Sequence, residues 1–268
     1  NLAAAASEQD ALYVTVSSAD TPVAAVVRTI TMDGLTSKGS DYAVPNNVSA
    51  KTLAINGLSE GDDVNLYVYP SQQSDVTVSW TDGTGTKNTN QQTLEANRVS
   101  VIDLGSVPKS ATGLTISAAE PVTAAAKVTN DGDGDQADFA LVNASVPMNV
   151  SAMAVPDHAT AQVSVTNTSD DDRTATLTSY DGDGDIVEQS DLTIRAGAST
   201  TIELADINDG DVAAVSLADS DQSMVWNIRV SQKDVSDAKL AGVSIIGATD
   251  LKEAREQVWS NQNMAIVR

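Results

Sequence analysis

Apolar and polar residues alternate along this chain in short runs that end at Gly, Pro, Asn or Asp. The clearest runs form two stretches about 100 residues apart, Thr93–Leu104 (TLEANRVSVIDL) and Thr193–Leu204 (TIRAGASTTIEL). In each stretch a tight Ala-Asn or Ala-Gly step separates two β-prone segments, and the second segment ends on Ile-acid-Leu. Each stretch therefore predicts a strand, a turn and a second strand, repeated along the chain.

The repetition extends beyond these two stretches. Residues Val64–Gly85 align without a gap with Val163–Gly184, and an Asp-Gly turn follows the third predicted strand in both copies, which is a strong hairpin signal. A second pattern, in which an alternating run, a turn and an apolar run follow one another, occurs three times: at Leu12–Ile30, Leu114–Val128 and Ala214–Val230. A polar connection and another strand follow each copy: at Asp41–Pro45, Asp138–Pro147 and Lys239–Gly247. Repeats of this length predict repeated domains.

One half-unit of each kind supplies about seven or eight short strands, which is typical of an immunoglobulin-like sandwich. The sequence thus predicts an all-β fold of tandem immunoglobulin-like β-sandwiches, each of about 100 residues, at 46–146 and 147–248. Residues 1–45 form a lead-in and a partial β unit, and a few isolated strands are not stable alone. This unit can pack on the first full domain, which we favour, be completed by the C-terminal segment, or be the remnant of an upstream domain.

Residues 249–268 have a different pattern. Asp250 and Glu253 resemble a capping box, with Thr249 as the rival N-cap. Residues 250–260 are therefore predicted to form a short C-terminal helix, and 264–267 a possible final strand. Three apolar residues fall on one face of the predicted helix: Leu251, Ala254 and Val258.

The composition narrows the classes of partner. Among 268 residues, 37 are acidic and 15 basic, so the formal net charge is −22. This charge argues against binding nucleic acid or an anionic lipid surface, and it favours solubility in an extracellular or salty setting. Cysteine is absent, which excludes disulfides and thiol chemistry. No apolar run approaches the roughly 20 residues of a membrane span, and the N-terminal residues do not form an intact signal peptide.

The sequence DGDGD occurs twice and is the candidate calcium site. Alternating carboxylates can direct several oxygens at one Ca²⁺, as the opening of an EF-hand loop does. Both copies lack the Gly at loop position six and the Glu at position twelve, so a plain turn is the competing interpretation. The candidate ligands are Asp131, Asp133 and Asp135 in the first copy and Asp181, Asp183 and Asp185 in the second.

For the other residues that could take part in catalysis or binding, the sequence favours a structural role. His158, the single histidine, follows Pro156-Asp157 in a polar connection and is expected in a surface loop. The run Asp170–Asp172 lies between predicted strands and is expected to be solvated. Trp226 lies in an apolar run and is expected in the core, whereas Trp80 and Tyr180 flank equivalent Asp-Gly turns, where they can form an exposed glycan-binding face.

Several of these motifs together resemble a family of uncharacterised actinobacterial proteins, secreted or membrane-tethered, with tandem immunoglobulin-like units. The resemblance rests on the polar turn Asn167-Thr168-Ser169, the Asp-Gly hairpin, Ala196-Gly197 before Glu203-Leu204, and the strand Glu120–Ala124. It covers most of residues 12–248, although Asn97 stands in place of the Gly in the first copy. It implies this architecture and a location at the cell envelope, and it implies no activity.

These observations predict a non-enzymatic extracellular protein, associated with the cell envelope, that acts as a structural spacer or a protein-interaction module. Its partner would be a protein or glycan at the cell surface, and a tether would come from a segment outside this sequence. The alternative is a carbohydrate- or calcium-binding accessory module. No cofactor is expected, calcium excepted, and no catalytic motif accompanies the single histidine.

Overall fold

A computed structural model describes residues 13–19, 21, 23, 25–33, 35–130, 138–156, 160–207, 211–231 and 243–251. Within these ranges the chain forms antiparallel β-sheets and one short 3-10 helix, Leu204–Asp206, and the last described residue, Leu251, is helical. None of the described helical residues belongs to a segment long and apolar enough to span a membrane. The predicted all-β sandwich class is confirmed.

The N-terminal part contains one hairpin that is separate from the two sandwiches. Its strands are β1 (Val27–Asp33) and β2 (Thr36–Ala43), which form a two-stranded sheet of their own. The hairpin lies against β9 (Phe139–Asn143) of the first sandwich, where the Leu141 N–H donates to Asp41 Oδ2 at 2.6 Å. The β1–β2 hairpin therefore contacts the first sandwich.

The first sandwich has two four-stranded layers that share one long strand. Its remaining strands are β3 (Ala50–Asn56), β4 (Asp63–Pro70), β5 (Ser74–Asp82), β6 (Gly85–Leu94), β7 (Ser100–Ser106) and β8 (Gly113–Thr129). The first half of β8 pairs with β5 and β3, and its second half pairs with β4 and β9. The long strand thus passes from one layer to the other.

The second sandwich has the same strand order. Its strands are β10 (Val150–Ala154), β11 (Thr160–Asn167), β12 (Arg173–Tyr180), β13 (Ile186–Ile194), β14 (Ser199–Glu203), β15 (Ala214–Ala218), β16 (Met224–Ser231), β17 (Val243–Gly247) and β18 (Thr249–Asp250). One layer runs β13-β12-β15-β10-β18 and the other β14-β11-β16-β17. Strands β15 and β16 pair as the two halves of β8 do. The domain boundaries and the immunoglobulin assignment stay predictions.

The turns around Ala96 and Ala196 occupy matching places. Each joins the outer strand of one layer to the outer strand of the other, β6 to β7 and β13 to β14. Asn97 has φ 59° and Gly197 has φ 63°, so both residues adopt the left-handed conformation. Asn tolerates this region better than other residues with a Cβ, which explains how it can stand where the other copy has Gly.

Because side chains along a strand point alternately to its two faces, every second residue contributes to the core. In β4, Val64, Leu66 and Val68 are fully buried, while Tyr67 and Tyr69 point away from the core. In the second sandwich Trp226 is 1% exposed, and its indole Nε1–H donates to Ser151 Oγ at 2.6 Å, so its predicted core position is confirmed. Small and branched side chains fill most of the rest of both clusters.

Of the C-terminal helix predicted at 250–260, the structure describes two residues: Asp250, which belongs to β18, and Leu251, which is helical. Thr249 and Asp250, the predicted cap residues, form β18 and pair with Ala152 and Ser151 at the edge of the sheet. Residues 252–268, which include the predicted strand at 264–267, lie outside the described residues.

Candidate functional site

The most developed polar arrangement is the contact between the two sandwiches, which we call the seam. It is formed by Asn56 and the loop up to Asp62 in the first sandwich, and by β11 and β16 in the second. Asn56, Thr166 and Asn227 are each fully buried there. Buried polar groups are stable only when they are hydrogen-bonded, so the partners of these residues determine how the sandwiches fit together.

Asn56 uses its backbone and its side chain to bind the second sandwich. Its backbone N–H donates to Asn227 Oδ1 at 3.0 Å, and its Nδ2 donates to the Val225 carbonyl at 2.9 Å. Its Oδ1 accepts a hydrogen bond from the Thr166 hydroxyl. Two bonds fix the orientation of the Asn56 amide and a third fixes its backbone, so the seam has a defined register.

Gly113 provides the space for this amide. It lies opposite Asn56 on β8 and opposite Thr81 on β5. A Cβ at this position would lie 2.4 Å from Asn56 Oδ1 and 2.9 Å from the Ile55 carbonyl oxygen. Since any larger residue would occupy the place of the Asn56 side chain, glycine is required here by close approach.

An ion pair forms the second fixed point of the seam. Arg229 Nη1 and Nη2 donate to the two carboxylate oxygens of Asp62 at 2.5 and 3.1 Å, and Nη1 also donates to the Gly57 carbonyl at 3.0 Å. The Ser59 backbone N–H donates to Asp62 Oδ2 at 2.9 Å. The Asp62 side chain is 3% exposed and that of Arg229 12%. A two-pronged pair in this setting fixes orientation as well as charge.

Apolar and backbone contacts extend the seam towards β17. Val243 and Ile245 of β17 belong to the hydrophobic cluster of the first sandwich. The Val243 N–H donates to Asp138 Oδ2 at 3.2 Å, and the hydroxyls of Thr112 and Ser199 lie 2.7 Å apart. The two sandwiches therefore share part of one core.

A second candidate site is a groove of about 600 Å³ along the outer face of β4 and β8. The ring of Tyr13 stacks on that of Tyr69, with centroids 3.8 Å apart. The Tyr69 hydroxyl donates to Asn97 Oδ1 at 3.3 Å. Burial raises the pKa of the Tyr67 hydroxyl above its ordinary value. The lining is Val, Ala, Tyr, Thr, Asn and Pro, which carry no charge and suit an uncharged partner.

The predicted calcium ligands divide between described and undescribed residues. Asp131, Asp133 and Asp135 lie outside the described residues. In the second copy, Asp181 Oδ1 accepts the backbone N–H groups of Asp183 at 3.0 Å and Asp185 at 2.9 Å. The part of the chain that the structure describes contains no group of three or more acids or histidines placed to hold a metal. Calcium binding stays a prediction.

We expect Asp181→Ala to lower the free energy of unfolding by about 1 kcal/mol, because two turn N–H groups lose their acceptor. Asp183→Asn is the matched control in the same turn and is expected to change little. Chemical denaturation with calcium and with EDTA measures both variants. A calcium-dependent stability that Asp183→Asn removes would instead indicate a metal site.

The other predicted residues have structural surroundings or lie outside the described residues. Asp172 Oδ1 accepts the Ala196 N–H at 3.0 Å, and Asn167, fully buried, donates from Nδ2 to the carbonyls of Asp171 and Ile194. Trp80 is 7% exposed and belongs to the first core, so an exposed face that includes it is wrong. His158 lies outside the described residues.

The seam itself was missed by sequence reasoning. Asn56-Gly57 is typical of a turn, and Asp62 falls in a polar connection. Neither pattern indicates a partner, because the partner residues follow at least 110 positions later. The one available signal is Gly113 at the start of a β-prone run, since glycine inside a strand often marks close approach.

Comparison with known protein families identifies one that matches most of the chain. A profile described as "Family of unknown function (DUF5719)" matches residues 1–205. The chain belongs to this family. Membership in DUF5719 brings no activity, and the likeness to an uncharacterised family is confirmed at that level. The actinobacterial origin and the immunoglobulin repeats stay predictions.

Other comparisons add little to DUF5719 membership. No curated protein matches the chain. Among solved structures, it is similar to that of a predicted secreted protein from Parabacteroides distasonis ATCC 8503, with 11% identity over 84% of this chain and 87% of that chain. The TM-score is 0.18, so this likeness carries no argument about the fold or the function.

Proposed function

We propose that this protein is a non-enzymatic, extracellular component of the cell envelope that acts as a rigid spacer or protein-interaction module. The observation that carries the proposal is the seam, in which Asn56 and the Asp62–Arg229 pair bind the two sandwiches in one register. Contacts between domains within a chain commonly permit relative motion unless they are large and apolar. Here buried directional bonds and a shared core oppose that motion.

The charge supports an extracellular location. A net charge of −22 keeps a protein soluble and disfavours adhesion to nucleic acid or to anionic lipid. A spacer that projects into solvent benefits from both properties. The absence of cysteine is compatible with either redox compartment.

The buried carboxylates support a non-enzymatic role, because they have structural partners. Asp62 binds Arg229, as described above. Asp219 is fully buried at the bend between β15 and β16, where it accepts the N–H groups of Ser223 at 2.5 Å and Met224 at 2.6 Å. A carboxylate whose oxygens accept two or three backbone N–H groups stabilises a bend rather than acting as a general base.

Distance measurements between spin labels test the rigid spacer. The chain has no cysteine, so Gln91→Cys and Glu188→Cys, on exposed positions of β6 and β13, introduce the only two thiols for labelling. We expect a single narrow distance distribution, which Asn56→Ala broadens. A broad distribution in the labelled protein without Asn56→Ala would contradict the proposal that the two sandwiches form a rigid spacer. The pair Gln91→Cys with Asp75→Cys, within the first sandwich, controls for label mobility.

A calorimetric titration separates the spacer from the accessory-module alternative. Calcium chloride and neutral oligosaccharides are titrated into the full chain, and the melting temperature is followed with each addition. Binding would raise the melting temperature by mass action. Heat of binding together with such a rise would favour a calcium- or carbohydrate-binding module.

A further inference from the structure

The N-terminal segment carries an uncovered apolar surface. The large exposed apolar side chains of the described residues cluster between Tyr13 and Val44, and those elsewhere are Val101, Val150 and Ile186. We call residues 13–44 the N-terminal segment. Concentrated apolar exposure of this kind marks an interaction surface.

The same positions are buried in the first sandwich. The aligned sequences LYVTVSSADTPVAAVVRTI and LTISAAEPVTAAAKV match Val14 with Ile116 and Val23 with Val122. Val14 and Val23 are 49% and 56% exposed, whereas Ile116 and Val122 are fully buried. In the strand that follows, Tyr42 of the Asp-Tyr-Ala sequence is 59% exposed, whereas Phe139 of Asp-Phe-Ala is 2% exposed. The N-terminal segment therefore exposes apolar side chains whose equivalents in the first sandwich are buried in its core.

The contact with the next sandwich is repeated as well. Asp41 accepts the Leu141 N–H on β9, and Asp138, its sequence equivalent, accepts the Val243 N–H on β17. A basic side chain covers the aromatic ring in both hairpins, with Arg28 5.5 Å from the Tyr42 centroid and Lys127 4.5 Å from that of Phe139. The β1–β2 hairpin thus contacts the first sandwich much as the β8–β9 hairpin contacts the second.

We propose that the N-terminal segment is a docking surface for five strands equivalent to β3–β7, so that together they form a further sandwich. In the first sandwich the matching residues are covered by β3, β4 and β5, which pair with β8. A second copy of this chain does not supply such strands, because both of its sandwiches have closed cores. The occupant is a five-stranded segment of the same kind.

The proposal is tested by supplying the strands. An extended chain carries a second copy of residues 46–112, which contain β3–β7, joined ahead of Asn1. We expect amide hydrogen exchange in 13–18 and 27–43 to slow at least about tenfold relative to the unextended chain. Val14→Asp in the extended chain is expected to remove this protection. Thr15→Asp, which matches the exposed Ser117, is the control that preserves it.

A second measurement decides the question if the extended chain does not fold. In the chain as it exists, Val14→Asp is expected to change the melting temperature little, because Val14 is 49% exposed there. Ile116→Asp, at the matching buried position, is expected to abolish folding. A large fall in melting temperature with Val14→Asp would overturn the proposal, and so would protection of 13–43 that appears only as the unextended chain dimerises. The spin-label distances test the spacer separately, since they do not involve the N-terminal segment.

Discussion

Replacing Arg229 with alanine is expected to lower the free energy of unfolding by about 3 to 5 kcal/mol. The substitution removes both hydrogen bonds to the Asp62 carboxylate and the bond to the Gly57 carbonyl. It leaves Asp62, whose side chain is 3% exposed, with the hydrogen bond from the Ser59 backbone N–H. An uncompensated buried charge is far more costly than the pair was favourable, which is why the effect is large.

Equilibrium urea denaturation measures this loss, and two further variants show where it comes from. Arg98→Ala removes an ion pair with Glu95 in which the side chains are 74% and 78% exposed, so a change within about 1 kcal/mol is expected. Asp62→Ala combined with Arg229→Ala is expected to cost less than the sum of the single variants, because the unpaired charge is gone. A loss below about 1 kcal/mol for Arg229→Ala would mean that the pair does not lock the seam.

The strands were predictable because each carries its own signal. Val64, Leu66 and Val68 alternate with polar or aromatic residues, and this period of two places them on one face of β4 whatever the rest of the chain does. The Asp-Gly turns fix where hairpins reverse. The equivalent left-handed residues Asn97 and Gly197 also follow from local chemistry, since Asn and Gly both tolerate positive φ.

The seam was not predictable, because its signal is nonlocal. The sequence Asn56-Gly57 is typical of a turn. Asn56 joins the two sandwiches because the fold brings Val225 and Asn227 of the second sandwich within hydrogen-bond distance of it. The same limit applies to β18, because its pairing partner β10 lies far earlier in the chain. Trp80 is different, because the alternation of Val76, Val78 and Trp80 in β5 does indicate the core. A position beside an Asp-Gly turn does not expose a side chain that lies on the core face of its strand.

Gly113→Ala is the second large effect, with an expected loss of about 3 kcal/mol that combines overpacking with the loss of Asn56 hydrogen bonds. The new Cβ would lie 2.4 Å from Asn56 Oδ1, 2.9 Å from the Ile55 carbonyl oxygen and 3.0 Å from Thr81 Oγ1. All three atoms belong to the strands paired on either side of β8, Asn56 and Ile55 to β3 and Thr81 to β5, so they cannot all withdraw. The amide of Asn56 must leave the seam, and the register of the two sandwiches is lost with it.

The loss of register distinguishes this effect from simple destabilisation. Gly182→Ala is the matched control, because a Cβ there meets nothing within 4 Å and the residue is not in the left-handed region. That variant is expected to stay within about 1 kcal/mol of the native protein. In the spin-labelled protein, Gly113→Ala should broaden the distance between the sandwiches at temperatures where each is still folded. If it lowers stability while the distance stays narrow, the close approach stabilises the first sandwich alone, and the alignment of the two domains depends on the Asp62–Arg229 pair instead.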